Sequence, residues 1–347
     1  MTRATTEPAV ESTESTVSTE PAVSTGDVMV GLYRTIRLIR RFEERAIELV
    51  RSGDIVGGIH PYIGQEAVAA GVCAALGPDD LVTGTHRGHG HVLAKGSDPA
   101  RMMAELTGRV TGLNKGRGGS MHAADFSVGI LGANAIVGAS GAIATGAAWA
   151  RQRLGRPAVA ATFFGDGAVN EGMLLEAFNL AALWRVPVVF VCENNGWATT
   201  MRVEDAVAGS ITGRAEAFGI PAATVDGQDA AEVLAATEEA VARARAGEGP
   251  SFLECRTERF DAHHTFEHKV RMRYRTDEEL TRIRSRDPVE IQGARLPASV
   301  RDDVDHEIEA LLAEAVTFAL DSPFPDPLTA LDHLYASGLV PRPGSDV

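Results

Sequence analysis

The sequence predicts an α/β protein built on an open, mostly parallel sheet with helices on both faces. Short apolar runs alternate with segments of helical periodicity through the middle of the chain, a pattern typical of βαβ units. The clearest apolar runs cover residues 158–164 and 187–193. With 347 residues, 44% of them hydrophobic, the chain can bury a large core. We expect one large α/β domain over residues 27–347.

The N-terminal region divides into a tail and a helix. Residues 1–26 are rich in Thr, Ser, Glu, Ala and Pro, with too few large apolar side chains to offset the entropy of ordering, so they predict a disordered tail. Asp27 fits an N-cap, and the helix after it ends near Gly53. Its apolar side chains recur at three- and four-residue steps: Leu32, Ile36, Ile39, Phe42, Ala46 and Val50.

The middle of the chain gives strands and helices in order. Ala158–Phe164 predicts a buried strand, and Asn170–Trp184 the helix after it. Pro187–Glu193 and Ser251–Cys255 predict two more strands, separated by a helix that Asp229 caps and that ends at Gly247. The predicted apolar face of the first helix consists of Met173, Ala177, Leu180, Ala181 and Trp184. Ligands of open α/β sheets bind beyond the carboxyl ends of the strands, so we expect the site there.

The C-terminal region is helical. Thr276 and Glu279 form a capping box for a short helix that ends before Pro288. A last, acidic helix spans about Ser299–Leu320, and a proline-rich segment follows it.

Composition excludes several classes of partner. The net charge of -14 and a pI near 5.2 argue against a nucleic-acid surface, which needs clustered Lys and Arg. No apolar run reaches the roughly 20 residues of a membrane span, and the N-terminus lacks the layout of a signal peptide.

The three cysteines, Cys73, Cys192 and Cys255, show no metal or redox spacing and are expected to be reduced core thiols. We expect a cytoplasmic protein.

Polar residues follow two of the predicted strands. Gly165-Asp166-Gly167 comes directly after Phe164, the second strand ends in Glu193-Asn194-Asn195, and 26 residues, 168–193, separate GDG from NN. Because this is about the length of one helix and one strand, Asp166 and Asn195 should lie at adjacent strand ends. Their oxygens suit Mg²⁺, and the glycines let backbone N–H groups approach phosphate at a helix N-terminus. A GDG triplet alone also occurs in ordinary turns.

With four further motifs, the chain resembles the alpha subunits of thiamine-diphosphate-dependent 2-oxoacid and acetoin dehydrogenases. GDG followed by about 26 residues and NN is the thiamine-diphosphate motif of that family. The resemblance covers most of residues 27–290. Its other motifs are HPYIGQEA at 60–67, THRGHGH at 85–91, KGRGGSMH at 115–122 and IVGA at 136–139.

The resemblance implies a thiamine-diphosphate-binding fold with thiamine diphosphate and Mg²⁺ as cofactors. Mg²⁺ would be coordinated by Asp166, the Asn195 side chain and the Trp197 carbonyl. The diphosphate would be contacted by His86 and Arg87 and by the backbone of Gly165, Gly167 and Ala168, and the aminopyrimidine by Ile136 and Val137. Ala135 replaces a usual Gly, and His86 replaces the Tyr of many pyruvate-type relatives, which favours the acetoin branch.

Thiamine chemistry explains the abundance of histidine. The reaction needs neutral proton carriers with a pKa near the working pH. Of the ten histidines, eight fall in or beside the motifs: His60, His86, His89, His91, His122, His263, His264 and His268. Scattered histidines usually belong to the surface or core, but clustering favours a function for His60, His122, His263 and His264. We expect His60, His263 and His264 to be catalytic.

One loop departs from the family. His263 aligns with the catalytic histidine of a mobile loop, which usually reads GHS or GHF followed by acidic residues. This chain has DAHHTFEH at 261–268 and about three extra residues before Tyr274. The loop faces the substrate and the acyl acceptor, so the departure bears on both, and the absence of Ser after His263 argues against kinase regulation there.

The resemblance also implies a missing catalytic group. Deprotonation of the thiazolium requires a glutamate at the aminopyrimidine, which a separate beta subunit supplies in the two-chain enzymes. Because the 347 residues leave no room for the second α/β domain, we expect a separate beta chain. Glu66 is a substitute within the chain, although its motif position favours a supporting contact. The implied partners are a beta subunit in an α2β2 heterotetramer, a lipoyl-bearing acyltransferase core, and acetoin or a 2-oxoacid.

Three functions are compatible with these motifs. The first is cleavage of acetoin or a 2-oxoacid, with transfer of the acyl group to a lipoyl arm. The second is transketolase-like transfer of a two-carbon acyl anion to a ketone or aldehyde. The altered loop is the reason for considering this function. The third, a non-catalytic scaffold subunit, is opposed by the presence of Asp166, Asn195, Arg87 and His263.

Overall fold

The computed structural model describes residues 24–156, 158–267 and 274–332. Residues 1–23 of the predicted tail and His268 lie outside the described residues. The first helix, α1, spans Thr25–Ser52 and begins earlier than predicted. Ser24 is its N-cap, and Asp27, the predicted cap, is instead the third helical residue and completes a capping box. The helix ends as predicted at Gly53, whose φ of 92° favours glycine.

Six parallel strands form the main sheet, which confirms the predicted α/β class. Its order is β2-β1-β3-β4-β8-β7, and a separate antiparallel hairpin joins β5 to β6. The strands are β1 Leu81–Gly84, β2 Ile130–Ala133, β3 Ala160–Gly165, β4 Val188–Asn194, β5 Trp197–Ala198, β6 Met201–Arg202, β7 Ala222–Asp226 and β8 Ser251–Arg256. The sequence predicted β3, β4 and β8. It missed β1 and β2, which are only four residues long, and β7, which is largely exposed at the sheet edge.

Helices connect and cover the strands. They are α2 Glu66–Ala74, α3 His89–Ala94, α4 Pro99–Leu106, α5 Ala139–Arg153, α6 Gly172–Trp184, α7 Val203–Ala206, α8 Ile211–Glu216, α9 Ala230–Arg245, α10 Asp277–Arg284, α11 Pro288–Gly293 and α12 Ala298–Asp321. The Asp229 cap of α9 and the capping box of Thr276 and Glu279 on α10 are confirmed.

Two hydrophobic cores lie on opposite faces of the sheet, as predicted. Because strand side chains alternate, Phe163 and Val191 pack into the core that holds α1, α2 and α9, whereas Phe164 and Phe190 pack into the core of α5 and α6. The carboxyl ends of the central strands therefore lie between two fixed layers of helices.

The predicted buried face of the helix after β3 is partly wrong. Ala177 and Ala181 are buried as predicted, together with Leu174 and Phe178, which were not predicted. Met173, Leu180 and Trp184 are exposed instead, at 45%, 37% and 45%. The helix carries two apolar stripes, and the sequence pattern does not tell which one meets the sheet.

The last long helix closes the structure against the first. α12 packs on α1 and α4, and salt bridges join Arg37 to Asp305 and Arg45 to Glu309 across the first of these contacts. Within residues 24–156, 158–267 and 274–332, no helix is both long and apolar enough to cross a membrane.

Candidate active site

A cavity of about 270 Å³ opens at the carboxyl ends of the strands. The loops after β1, β3, β4 and β8 and the turn before α5 supply its walls, which is the edge that the sequence predicted. Most of the predicted site residues line it: His86, Arg87, Ile136, Val137, Gly165, Asp166, Gly167, Ala168, Asn195, Trp197 and His263.

The three residues predicted to bind the metal, Asp166, Asn195 and Trp197, all line the cavity. Gly165 pairs with Glu193 in the register of β3 and β4, so Asp166 and Asn195 follow neighbouring strand ends. Asp166 is 1% exposed, its Oδ2 has no hydrogen-bond partner, and burial raises its pKa to about 6. The Asn195 amide is oriented by a 2.7 Å donation to Gln65 and accepts from the Trp197 N–H at 3.1 Å. A buried carboxylate oxygen without a partner and an oriented amide oxygen, at neighbouring strand ends, can hold a hard cation.

The GDG turn differs in detail from the prediction. Asp166–Asn170 forms a 3₁₀-helix, and α6 begins only at Gly172, so GDG does not open an α-helix directly. A side chain at Gly167 would meet Ala198 Cβ at 2.8 Å, whereas Gly165 has nothing within 4 Å of its missing Cβ. The backbone at Gly165 is therefore open to a ligand, and Gly167 is required by close packing against the β5–β6 hairpin.

Two buried guanidinium groups, those of Arg87 and Arg259, also line the cavity. Arg87 is 4% exposed and donates to the Pro61 carbonyl at 2.7 Å. Arg259 is 1% exposed and donates to the Thr199 carbonyl at 2.9 Å and the Tyr274 hydroxyl at 2.6 Å. Burial, followed by the charge of Arg259, lowers the pKa of Arg87 to about 9. Two cations buried side by side, with neutral hydrogen-bond acceptors, suit an anionic ligand.

The histidines form a cluster beside these arginines. The His60 ring lies 4.7 Å from His86, 4.9 Å from His263 and 4.6 Å from His264, measured between centroids. Burial, then the charges nearby, lowers the pKa of His60 and His86 to about 2 and that of His263 to about 3. Burial also lowers the pKa of His264. All four rings are therefore neutral at physiological pH.

The histidine cluster could in principle hold a transition metal. His60, His86 and His263 each offer one ring nitrogen, and these atoms lie within 4.8 Å of one another. Arg87 and Arg259 oppose this role, because both lie 3.2 Å from His263 Nδ1 and would repel a cation bound beside it. The electrostatics around the two arginines favour an anion.

Several predicted residues lie elsewhere. Ala135 is half-buried beside the cavity but is not in its lining, and His122 is exposed. Glu66 is buried outside the lining, where it binds Arg40 at 2.5 Å and accepts from the Gly64 N–H at 2.9 Å. A supporting role for Glu66 therefore remains a prediction, to which its contacts with Arg40 and Gly64 lend support.

Two other histidines of the THRGHGH motif form buried pairs with glutamates. His89 contacts Glu43 at 3.0 Å, and His91 contacts Glu193 at 3.0 Å. Both histidines are almost completely buried, and neither lines the cavity. They hold α3 against the core rather than facing a ligand.

The cavity also contains residues that the sequence analysis missed. Arg259, Gln65, Glu193 and Thr199 line it. Arg259 comes three residues after β8 ends, so the rule that sites follow strand ends could have identified it. Glu193 is buried and accepts hydrogen bonds from Tyr62 and His91, which fix it as a structural part of the cavity wall.

Comparisons with known proteins identify the family of the chain. The model of the family described as dehydrogenase E1 component matches residues 34–328. The alpha subunit of acetoin:2,6-dichlorophenolindophenol oxidoreductase from Bacillus subtilis is 44% identical over 313 residues, covering 88% of this chain and 93% of the relative. Its counterpart from Cupriavidus necator is 44% identical over 319 residues, covering 90% and 95%. The pyruvate dehydrogenase E1 component subunit alpha of Zymomonas mobilis is 41% identical over 321 residues, covering 90% and 88%.

Proposed function

Because this chain belongs to the dehydrogenase E1 component family, we propose that it is the alpha subunit of a thiamine-diphosphate-dependent dehydrogenase. It cleaves acetoin or a 2-oxoacid and passes the acyl group to a lipoyl arm. The observation that carries this proposal is one cavity that contains both the buried Asp166 carboxylate, whose Oδ2 has no hydrogen-bond partner, and the buried Arg87–Arg259 pair.

The residues of the cavity fit thiamine diphosphate and Mg²⁺. Asp166 and Asn195, with the Trp197 carbonyl, would hold the cation. Its positive charge would compensate the buried negative charge of the Asp166 carboxylate. Arg87 and Arg259 would bind the diphosphate, because both are buried and donate to neutral acceptors. The open backbone at Gly165 can approach the phosphates.

The cofactor supplies a thiazolium carbon that adds to a carbonyl once it is deprotonated. This chain contributes binding, orientation and proton handling around that carbon. Ile136 and Val137 would contact the aminopyrimidine, since they line the cavity yet are 66% and 50% exposed. His263 lines the same cavity. The His60 ring contacts the rings of His263 and His264.

A partner subunit is part of the proposal. The relatives are named as alpha subunits, which implies a beta subunit. Among the described residues that line the cavity, two buried carboxylates already have other roles. Asp166 would bind the metal, and Glu193 accepts hydrogen bonds from Tyr62 and His91. Glu171 also lines the cavity and is exposed. We assign the glutamate that assists deprotonation to the beta subunit, and we expect an α2β2 heterotetramer and a lipoyl-bearing acyltransferase core as the next partner.

Acetoin is the donor we favour. The two relatives at 44% identity are acetoin enzymes by name, and His86 occupies the position where many pyruvate-type relatives have Tyr. The test is turnover of the chain co-purified with its beta subunit, with thiamine diphosphate, Mg²⁺ and either acetoin or pyruvate. A lipoyl domain serves as acceptor, and 2,6-dichlorophenolindophenol serves as an artificial one.

Each outcome separates the functions. Acylated lipoyl domain from acetoin supports the proposal, and acylation from pyruvate alone corrects the donor. Donor consumption that yields only free aldehyde or acyloin contradicts transfer to a lipoyl arm and favours transfer to a carbonyl acceptor. Absence of turnover with a cofactor-loaded complex contradicts the enzymatic assignment itself.

A further inference from the structure

Two arginines converge on a single atom of His263. Its Nδ1 lies 3.2 Å from Arg87 Nη2 and 3.2 Å from Arg259 Nη1. Arg87 also donates to the His263 carbonyl at 3.2 Å. Both guanidinium groups are buried, so these contacts form away from bulk water.

The chemistry of the donors determines the state of the ring. A guanidinium carries only N–H donors and stays protonated in proteins, so the nitrogen that faces it must offer a lone pair. His263 Nδ1 is therefore the acceptor, and in the neutral ring the proton resides on Nε2. The nearby charges also favour the neutral ring. Among the described residues, the charged or titratable groups that face it are Arg87, Arg259, His60, His86 and His264.

Arg259 is held independently of the histidine. Its Nη2 donates to the Thr199 carbonyl and to the Tyr274 hydroxyl, and Arg275 donates to its backbone carbonyl. Arg87 is fixed from another direction by the Pro61 carbonyl. The two guanidinium groups thus approach Nδ1 from separate loops, which explains how the ring orientation is maintained.

We propose that Arg259 is a positioning residue that fixes His263 as the neutral tautomer with its proton on Nε2. His263 then acts in the cavity as a hydrogen-bond donor toward an oxygen that gains negative charge, and not as a base. This catalytic consequence rests on the proposed function, whereas the tautomer itself does not.

The test measures the tautomer directly. The full-length chain, free of cofactor and labelled with ¹⁵N-histidine, is examined by solid-state NMR, and the His263→Gln variant identifies the His263 signals. Near pH 7 we expect an unprotonated Nδ1 and a protonated Nε2, with at least about a tenfold excess of this tautomer, as hydrogen bonds from charged donors support. A protonated Nδ1 in the wild-type chain would overturn the proposal.

Substitutions at Arg259 test the assignment to this residue. Arg259→Met removes one of the two donors to Nδ1 and its charge, so the fraction of the Nδ1–H tautomer and the His263 pKa should both rise. Arg259→Lys keeps a charged donor and should restore the wild-type signals. Unchanged tautomer and pKa in Arg259→Met would assign the effect to Arg87 alone and contradict the proposal.

Kinetics of the complex with its beta subunit add a separate measurement. Arg259→Met should displace the pH profile of kcat, and Arg259→Lys should return it toward that of the wild type. Because the NMR experiment uses cofactor-free protein, it can fail while the proposed function holds. The converse is also true, so the two failures are distinguishable.

Discussion

Three charged side chains at this site are buried and, among the described residues, are not paired with an opposite charge. Asp166 is buried with an unpartnered oxygen, and Arg87 and Arg259 are buried together with neutral acceptors. The sequence predicted Asp166 and Arg87 from motifs. It missed Arg259, which lies outside the motifs, although its position three residues after β8 could have indicated it.

Replacement of the proposed metal ligand Asp166 should abolish cofactor binding without unfolding the chain. Asp166→Ala removes the carboxylate proposed to hold the cation, so we expect Mg²⁺-dependent binding of thiamine diphosphate to disappear in calorimetry. Asp79→Ala, at an exposed aspartate before β1, is the matched control and should bind normally. Equal affinity in Asp166→Ala and wild type would remove Asp166 from the site.

The neutral state of His86 predicts a dependence of stability on pH. Burial lowers its pKa from 6.5 to about 2, so below pH 6.5 the unfolded chain takes up a proton that the folded chain does not. Stability should therefore fall as the pH falls below 6.5, on the order of 1 kcal/mol per pH unit from this residue. His86→Phe removes that loss.

Denaturant unfolding of cofactor-free protein at pH 7 and pH 5 measures it. Relative to wild type, His86→Phe should gain on the order of 2 kcal/mol in free energy of unfolding between these pH values. His306→Phe, at an exposed histidine of α12, should show no such gain. Parallel pH curves for wild type and His86→Phe would show that His86 titrates normally in the folded chain.

At the scale of elements, buried carboxylates organise the loops that the motifs occupy. Glu105 at the end of α4 is fully buried. Its two oxygens accept backbone N–H groups from Asn114, Gly116, Gly118 and Gly119, at distances of 2.7 to 3.0 Å. The KGRGGSMH motif is therefore folded around a carboxylate that lies outside the motif, which no local pattern indicates.

The amide at this position should destabilise the protein. Glu105→Gln turns an NH₂ group toward N–H donors and weakens the remaining acceptor, so we expect a loss of about 2–4 kcal/mol in free energy of unfolding. Urea unfolding measures this loss. Glu238→Gln, at an exposed glutamate of α9, should change the stability by less than about 0.5 kcal/mol. A similarly small change in Glu105→Gln would mean that the loop does not depend on this carboxylate.

Element boundaries were predictable where local chemistry defines them. The capping box of α10 and the Asp229 cap of α9 involve side chains only two or three residues from the backbone groups they satisfy. The orientation of α6 was not predictable in the same way, because both of its stripes are apolar and tertiary packing selects between them.

At the scale of the whole molecule, the sequence predicted the architecture but not which apolar side chains stay exposed on the surface. Alternating strands and helices predicted the parallel sheet and the edge where the cavity lies. The apolar side chains left exposed on α5 and α6 are Ile143, Trp149, Met173, Leu180, Leu183 and Trp184. Trp149 and Trp184 contact each other, at 5.8 Å between ring centroids. The pattern that predicts a core cannot distinguish a face covered by this chain from one covered by another.

This surface supports the expected contact with the beta subunit. α5 begins directly after Ile136 and Val137, which line the cavity and remain at least half exposed, so the surface continues from the cavity. Leu183 is 70% exposed within it. Leu183→Glu would bury a charge at such an interface, and we expect at least about a tenfold loss of affinity for the beta subunit.

The control is another exposed leucine, Leu328, which is 89% exposed in the segment after α12. Light scattering coupled to size-exclusion chromatography compares the assembly of the two variants with the beta subunit. If Leu328→Glu assembles normally and Leu183→Glu does not, the beta subunit covers α6 next to the cavity, where it can supply the missing glutamate. Normal assembly of both variants would place the beta subunit elsewhere, and the exposed tryptophans would then require a different partner.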